Sequence, residues 1–158
     1  MKLVFRNLVA GIVLAGSGGV LIPWWILTRA GASPEPVALP GIALITAGAA
    51  VCLWCLWYFA TLGRGTPGPW DAPRRLVAVG PYRWVRNPIY LGTLLVVLGE
   101  VWLFQSGLLA LYAIAMAIVF QLFVVAYEEP TLQRRFGESY EKHRATVARW
   151  IPRRPRRT

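Results

Sequence analysis

The side chains best suited to bind a charged small molecule fall in two short stretches of this sequence. Arg86, Asn87 and Tyr90 form the first stretch, and Glu128 and Glu129 form the second. An arginine binds a carboxylate through two parallel hydrogen bonds, and a glutamate binds an ammonium group. Together, the two stretches would suit a zwitterion. The same residue types would also form an internal arginine–glutamate pair that holds two helix ends together, and this alternative stays open.

Aromatic residues surround the first stretch. Tyr82 and Trp84 precede it, and Tyr90 lies within it. The face of an aromatic ring can stack on a planar base or contact a cation. These three side chains therefore add a possible binding surface for a base or a cation to the charged groups.

The composition shows what kind of protein must position these residues. Of 158 residues, 56% are hydrophobic and only 15% are charged, whereas about a quarter of the residues in a typical soluble domain are charged. A helix needs roughly 20 apolar residues to cross about 30 Å of hydrocarbon. The chain therefore has room for about four crossings, and a large soluble catalytic domain is excluded.

Four apolar stretches predict an all-α, polytopic membrane protein of one domain, 1–158. The predicted spans are 7–28, 37–62, 88–104 and 108–127. Because Gln105, Ser106 and Gly107 leave room only for a tight turn, the third and fourth helices should form a hairpin. The start of the third helix and the end of the fourth should then lie side by side. The first span is read as a retained helix, with a secretory signal as the alternative.

The residues outside the spans form a loop at 64–87 and a tail at 128–158. In the tail, Leu132, Phe136 and Tyr140 recur at four-residue spacing. This spacing predicts a short C-terminal helix with one apolar and aromatic stripe. The loop and the tail would then carry the chemistry, since both charged stretches lie at their boundaries with the spans.

The distribution of basic residues predicts the orientation. With both termini on one side of the membrane, that side holds every one of the 17 lysines and arginines except Arg29. The positive-inside rule then places both termini, the loop and the tail in the cytoplasm, at an inner or plasma membrane. The net charge of +10 indicates contact with anionic membrane lipids. Nucleic acid is not expected as a partner, and the oligomeric state stays open.

Small residues and cysteines in the second span predict packing. The run 41–50 is rich in glycine and alanine, so another helix should approach it closely, and the first helix is the candidate. Cys52 and Cys55 lie within the same apolar span, where thiols behave as small apolar groups. No metal site is predicted.

Three motifs resemble a known family. They are the run GPYRWVRNPIYLG at 80–92, the EEP at 128–130 and the FGESY at 136–140. Their order and spacing resemble the isoprenylcysteine carboxyl methyltransferase and phospholipid methyltransferase superfamily of integral membrane enzymes, over roughly 65–152. The resemblance implies a small helical membrane bundle. It also implies that the loop and the tail close over S-adenosylmethionine while a lipid substrate enters laterally.

The resemblance also implies a set of cofactor-binding residues, which are Arg75, Leu76, Val77, Tyr82, Arg86, Asn87, Pro88, Tyr90, Glu128 and Glu129. From charge alone, we expect Arg86 to bind the methionine carboxylate and Glu128 to bind its ammonium group. The only histidine, His143, lies among charged residues of the tail, where we expect a solvated side chain. Tyr90 and Glu129 are therefore the candidate catalytic residues.

Two positions depart from the family pattern. The family's histidine is Asn87 here, which can form hydrogen bonds but cannot act as a base near neutral pH. An arginine that eukaryotic isoprenylcysteine enzymes carry four residues before the first glutamate is Val124 here. The cofactor expectation is unaffected, but the isoprenylcysteine substrate does not follow from the resemblance.

The function expected is methyl transfer from S-adenosylmethionine to a lipophilic substrate at the cytoplasmic interface. The acceptor would be an isoprenylcysteine-like carboxylate, as part of a lipidated partner, or another small lipid. Three alternatives remain, which are a phospholipid N-methyltransferase, an NADPH-dependent membrane reductase and a non-catalytic membrane scaffold.

Overall fold

The computed structural model describes residues 12–34, 39–63 and 76–152, which are mostly helical and include no strand. Helix α1 consists of a π-helical part, Ile12–Leu21, and an α-helical part, Ile22–Ala30. Helix α2 is Leu39–Tyr58, continued by a π-helical turn at Phe59–Gly63. A short 3₁₀ helix, Gly80–Arg83, precedes α3, Pro88–Phe104. Helix α4, Gly107–Phe123, continues through a π-helical turn, Val124–Glu128, into α5, Glu129–Phe136, and α6 is Glu138–Thr146.

The helices have the apolar surface of a membrane protein. Two continuous helical stretches, Leu39–Leu62 and Gly107–Phe136, are long and apolar enough to cross a membrane, and α3 is apolar but shorter. Large apolar side chains of α4, such as Leu111 and Ile118, point away from the bundle. Because a surface helix of a soluble protein carries polar residues on that side, this exposure fits a lipid environment. The all-helical class is confirmed, while the arrangement with four spans stays a prediction.

Helices α2 and α3 touch along a row of glycines. A Cβ atom on Gly48 would lie 2.5 Å from the carbonyl oxygen of Gly92, and one on Gly99 would lie 2.6 Å from that of Gly41. Seven residues separate the two glycines of each helix, so they recur on one face two turns apart. The two backbones are therefore in direct contact. The prediction of a close approach at 41–50 is confirmed, but the partner is α3 rather than the first helix.

Helix α1 packs on α3 and α4 instead, also through glycines. The Tyr112 hydroxyl donates a hydrogen bond of 2.7 Å to the carbonyl oxygen of Gly18. A Cβ atom on Gly19 would lie 3.2 Å from the methyl group of Thr93. The small residues of α1 thus face the α3–α4 pair, which explains why they are not available to α2.

Helices α3 and α4 lie side by side and are joined by two residues. The Ser106 hydroxyl caps α4 by accepting a hydrogen bond from the backbone N–H three residues later. Near the middle of the helices, Val97 packs against Met116. Nearer the other end, the rings of Tyr90 and Phe120 lie 4.7 Å apart. The start of α3 is therefore next to the end of α4.

Both cysteines are buried and free, in agreement with the packing prediction. The Cys52 thiol donates to the carbonyl oxygen of Ile89 at 3.6 Å and lies 3.8 Å from the Thr93 hydroxyl. Cys55 belongs to a buried cluster that also contains Tyr82. The two side chains thus fill the contact between α2 and the start of α3.

The tail folds back through two short helices. Gly137, with φ of +50°, joins α5 to α6, and the Gln133 amide donates a hydrogen bond of 2.7 Å to Glu141 across the joint. Tyr140 is buried on the inner side of α6. This reversal returns the chain after α6 toward the start of α3.

The glycine row gives a first prediction. We expect Gly48→Ala to destabilise the fold by about 1–3 kcal/mol, because its Cβ would overlap the Gly92 carbonyl and force the helices apart. Thermal unfolding in detergent measures the change.

Gly107→Ala is the matched control, since a Cβ there meets nothing within 4 Å. Alanine is the better helix former by about 1 kcal/mol. A melting temperature of Gly48→Ala equal to or above that of the wild type would therefore contradict backbone contact between α2 and α3.

Candidate functional site

The segment before α3 is fixed against the end of α2. Gly80 has φ of +58°, and a side chain there would overlap the Tyr58 ring. The Tyr82 ring packs edge-on against Phe59 at 5.6 Å, and Val77 lies in the same buried cluster. Burial raises the pKa of Tyr82 well above its usual value, so the hydroxyl stays protonated. This contact sets the place at which Arg86 follows.

An ion cluster joins the start of α3, the start of α5 and the tail. Nη1 of Arg86 lies 2.9 Å from Oε1 of Glu129, and each side chain is only 11% exposed. Arg149 donates to both oxygens of the same carboxylate, through Nε to Oε1 at 2.7 Å and through Nη2 to Oε2 at 2.9 Å. Glu129 therefore lies between two guanidinium groups. This arrangement is the internal pair that the sequence left open, extended by a second arginine.

Arg86 keeps donors beyond its ion pair. Its Nη1 also donates to the Tyr140 hydroxyl at 3.4 Å. Its Nε is buried and has no hydrogen-bond partner in the part of the chain that the structure describes. A buried guanidinium donor without a partner is costly, so an acceptor that reached this atom would be bound favourably.

Residues 147–150, called the strap below, lie across the start of α3. The backbone N–H of Arg86 donates to the carbonyl oxygen of Ala148 at 2.9 Å. The Asn87 amide donates to the carbonyl oxygen of Arg149 at 3.2 Å, and Asn87 is 5% exposed. In this structure, the residue at the family's histidine position therefore holds the strap. Pro88 follows at the first turn of α3, where a missing N–H costs little.

Glu128 and Tyr90 form a second pair beside the ion cluster. The Tyr90 hydroxyl donates a hydrogen bond of 2.7 Å to Oε2 of Glu128. The Tyr90 ring packs between Phe120 at 4.7 Å and Trp150 at 6.4 Å. Within the described ranges, no cation pairs with Glu128. Burial raises the pKa of the Glu128 carboxyl group above its ordinary value, and the hydrogen bond from Tyr90 partly offsets this effect. An acidic group without a counter-charge in the described part of the chain thus lies beside an aromatic surface.

Sequence reasoning missed several residues of this site. They are Gln121, Tyr140, Arg149 and Trp150. One signal existed, because Gln121 is a polar side chain within an apolar span and such groups need a partner. That partner is Trp150, whose indole N–H donates to Oε1 of the Gln121 side chain at 2.7 Å.

Four of the ten expected cofactor residues either lie apart from the charged groups or fall outside the described residues. Val77 and Tyr82 pack in the buried cluster against α2. Leu76, which directly precedes Val77 in the sequence, is half-buried. Arg75 lies outside the described residues. The structure therefore brings together Arg86, Asn87, Pro88, Tyr90, Glu128 and Glu129 from the expected set.

The expectation of a solvated His143 is wrong. This side chain is half-buried, because it lies one helical turn after the buried Tyr140 and shares its face. Burial, and secondly the positive charge of Arg86, lower the pKa of His143 from its ordinary value of 6.5. The imidazole is therefore neutral at pH 7.

The length and apolarity of the helices, with a charged cluster at their ends, indicate a membrane protein. The family model described as phospholipid methyltransferase matches residues 37–139, and the chain belongs to this family. The resemblance to the isoprenylcysteine carboxyl and phospholipid methyltransferase superfamily is confirmed, and its members are membrane methyltransferases. No curated protein and no solved structure matches the chain. Arg149 and Trp150 lie beyond the matched range.

The lowered pKa of His143 predicts a pH effect on stability. At pH values between the lowered pKa of His143 in the folded protein and 6.5, the imidazole is protonated more readily in the unfolded chain than in the folded chain. Stability should therefore fall as the pH is lowered through 6.5 and below. In His143→Gln, the difference in melting temperature between pH 7.5 and pH 5.5 should be smaller than in the wild type. An equal difference in both proteins would show that His143 titrates normally.

Proposed function

We propose that the protein is an S-adenosylmethionine-dependent methyltransferase that acts on a lipophilic substrate at the cytoplasmic face of the membrane. One observation carries the proposal. The carboxylate of Glu128, fixed by Tyr90, lies at the helix ends beside a buried guanidinium, Arg86, that retains a free donor. The family match supplies the reaction class.

The residues fit the cofactor's polar groups. S-adenosylmethionine has a carboxylate and an ammonium group at one end and a planar base at the other. The unpartnered Nε of Arg86 suits the carboxylate. Glu128, which meets only the neutral Tyr90 hydroxyl among its described neighbours, suits the ammonium. When bound, the cofactor supplies an electrophilic methyl group.

The chain's own part in the reaction is to bind, orient and exclude water. Tyr90 holds the Glu128 carboxylate in one orientation through its hydrogen bond. The rings of Phe120 and Trp150 cover the other sides of Tyr90 and keep this region apolar. Holding two reactants in line lowers the activation free energy by several kcal/mol, at most by roughly 7–11 kcal/mol. Exclusion of water strengthens the electrostatic contacts in the site.

The candidate bases are not equivalent in this arrangement. Both oxygens of Glu129 bind guanidinium groups, so we assign this carboxylate to holding the site together. Glu128 lies beside the aromatic rings and is the better candidate for accepting a proton from an acceptor amine, whereas Tyr90 donates its own proton to Glu128 and orients it. An acceptor carboxylate would need no base.

The acceptor proposed first is the amine of a phospholipid headgroup. The family description favours it. In addition, Val124 occupies the position of the substrate arginine of isoprenylcysteine enzymes and is completely buried, so it offers no charge to a substrate carboxylate. An isoprenylcysteine-like carboxylate is the second candidate. In both cases, four spans with cytoplasmic termini would let the lipid reach the site from the bilayer.

Binding of S-adenosylhomocysteine tests the proposed cofactor site. Isothermal titration of the purified protein in detergent should show binding, and Glu128→Gln should weaken it by about tenfold or more, because a charge-assisted contact is lost. Glu138→Gln is the matched control, since Glu138 pairs with Lys142 at the exposed surface and should not change the affinity.

The alternatives give different titrations. Binding of NADPH without binding of S-adenosylhomocysteine would indicate a membrane reductase. Binding of neither would indicate a scaffold, in which the charged cluster has only a structural role.

Transfer of a radiolabelled methyl group identifies the acceptor. Incubation with labelled S-adenosylmethionine and a total lipid and membrane-protein extract should label a phospholipid. After mild alkaline hydrolysis, an N-methylated headgroup keeps its label in the water-soluble fraction, whereas a methyl ester releases volatile methanol. Label found only in methanol would reject the phospholipid amine in favour of the carboxylate.

A further inference from the structure

We propose that Arg149 of the strap is a positioning residue, which occupies Glu129 so that Arg86 remains able to bind the cofactor carboxylate. This inference rests on the proposed function. It concerns a residue outside the range that the family model matches, and it assigns to the strap a part in cofactor binding.

The geometry distinguishes the two arginines. Arg149 contacts both oxygens of Glu129 with two nitrogens, Nε and Nη2. This paired arrangement is the strongest that a guanidinium and a carboxylate form. For Arg86, the contact with the same carboxylate is an ion pair of Nη1 with Oε1 at 2.9 Å, without the paired hydrogen bonds that Arg149 forms. Arg149 thus binds both oxygens of Glu129, and Arg86 is left with one buried donor, Nε, that has no partner among the described residues.

Removal of the Arg149 charge would change what Arg86 does. The Glu129 side chain is only 11% exposed, so water cannot fully compensate its charge, and a buried carboxylate requires a paired cation. Within the described ranges, Arg86 would be the one cation left in contact with it. Arg86 would then turn both of its terminal nitrogens toward Glu129, and a ligand carboxylate would lose its partner.

The strap has anchors that do not involve the Arg149 guanidinium. Its backbone accepts hydrogen bonds from Arg86 and from Asn87. The Trp150 indole binds Gln121 on α4. Three contacts therefore hold the strap in place when the guanidinium is replaced. A substitution at Arg149 should change the charge balance around Glu129 without releasing the strap.

Two ligands separate a positioning role from a structural one. S-adenosylhomocysteine has the amino-acid carboxylate, whereas methylthioadenosine has the same nucleoside and thioether but no carboxylate or ammonium. We expect Arg149→Gln to weaken S-adenosylhomocysteine binding by about tenfold to a hundredfold, the range for a lost contact to a charged group. Its affinity for methylthioadenosine should stay within about twofold of the wild type.

A double variant supplies the rescue. In Arg149→Gln combined with Glu129→Gln, the buried carboxylate is gone and Arg86 is released, so S-adenosylhomocysteine affinity should recover to within about threefold of the wild type. Arg144→Gln, at an exposed position on α6, is the matched control and should bind as the wild type does. All proteins are full-length and titrated in the same detergent.

Each outcome decides the matter. Loss of S-adenosylhomocysteine affinity in the single variant with recovery in the double variant supports the proposal. No loss in the single variant, no recovery in the double variant, or an equal loss for methylthioadenosine overturns it while leaving the proposed function intact. A wild-type protein that binds neither ligand overturns both proposals.

Discussion

The carboxylate of Glu129 is the constraint on which the rest of the site depends. A charge as buried as this one requires a cation, and two are supplied, by Arg86 at the start of α3 and by Arg149 in the strap. Three separate parts of the chain must therefore meet at one carboxylate. Any fold in which α5 began elsewhere, or in which the tail failed to return, would leave a buried charge unpaired.

The glycine row determines where that meeting takes place. Because the backbones of α2 and α3 touch at Gly48 and Gly92, α3 has little freedom to slide or rotate against α2. Tyr82 and Gly80 then fix the preceding turn on the same helix. Arg86 thus reaches the cluster from a rigid support, and rigid support holds binding groups within the small tolerance that a reactive geometry allows.

Much of this arrangement could be predicted from the sequence, and the failures have physical causes. Apolar run lengths predicted the helices, and the tight turn after α3 predicted that Arg86 and the two glutamates lie close. The choice of Glu129 rather than Glu128 as the partner depends on the π-helical turn at Val124–Glu128, which changes the direction of the following side chains. Arg149 escaped detection because its position depends on the chain reversal at Gly137, which is a long-range feature.

Two adjacent glutamates can therefore have different tasks. Consecutive residues of a helix point about 100° apart, so Glu129 is directed to the arginines while Glu128 is directed to Tyr90. The Glu129 carboxylate is neutralised by the two arginines and holds the site together. The Glu128 carboxyl group has no cation beside it among the described residues, and burial raises its pKa, so a cationic group of a ligand would stabilise its charged form. In the proposed methyltransferase, both the cofactor ammonium and a protonated headgroup amine are such groups, so a single acidic side chain at the membrane boundary would bring donor and acceptor to the same place.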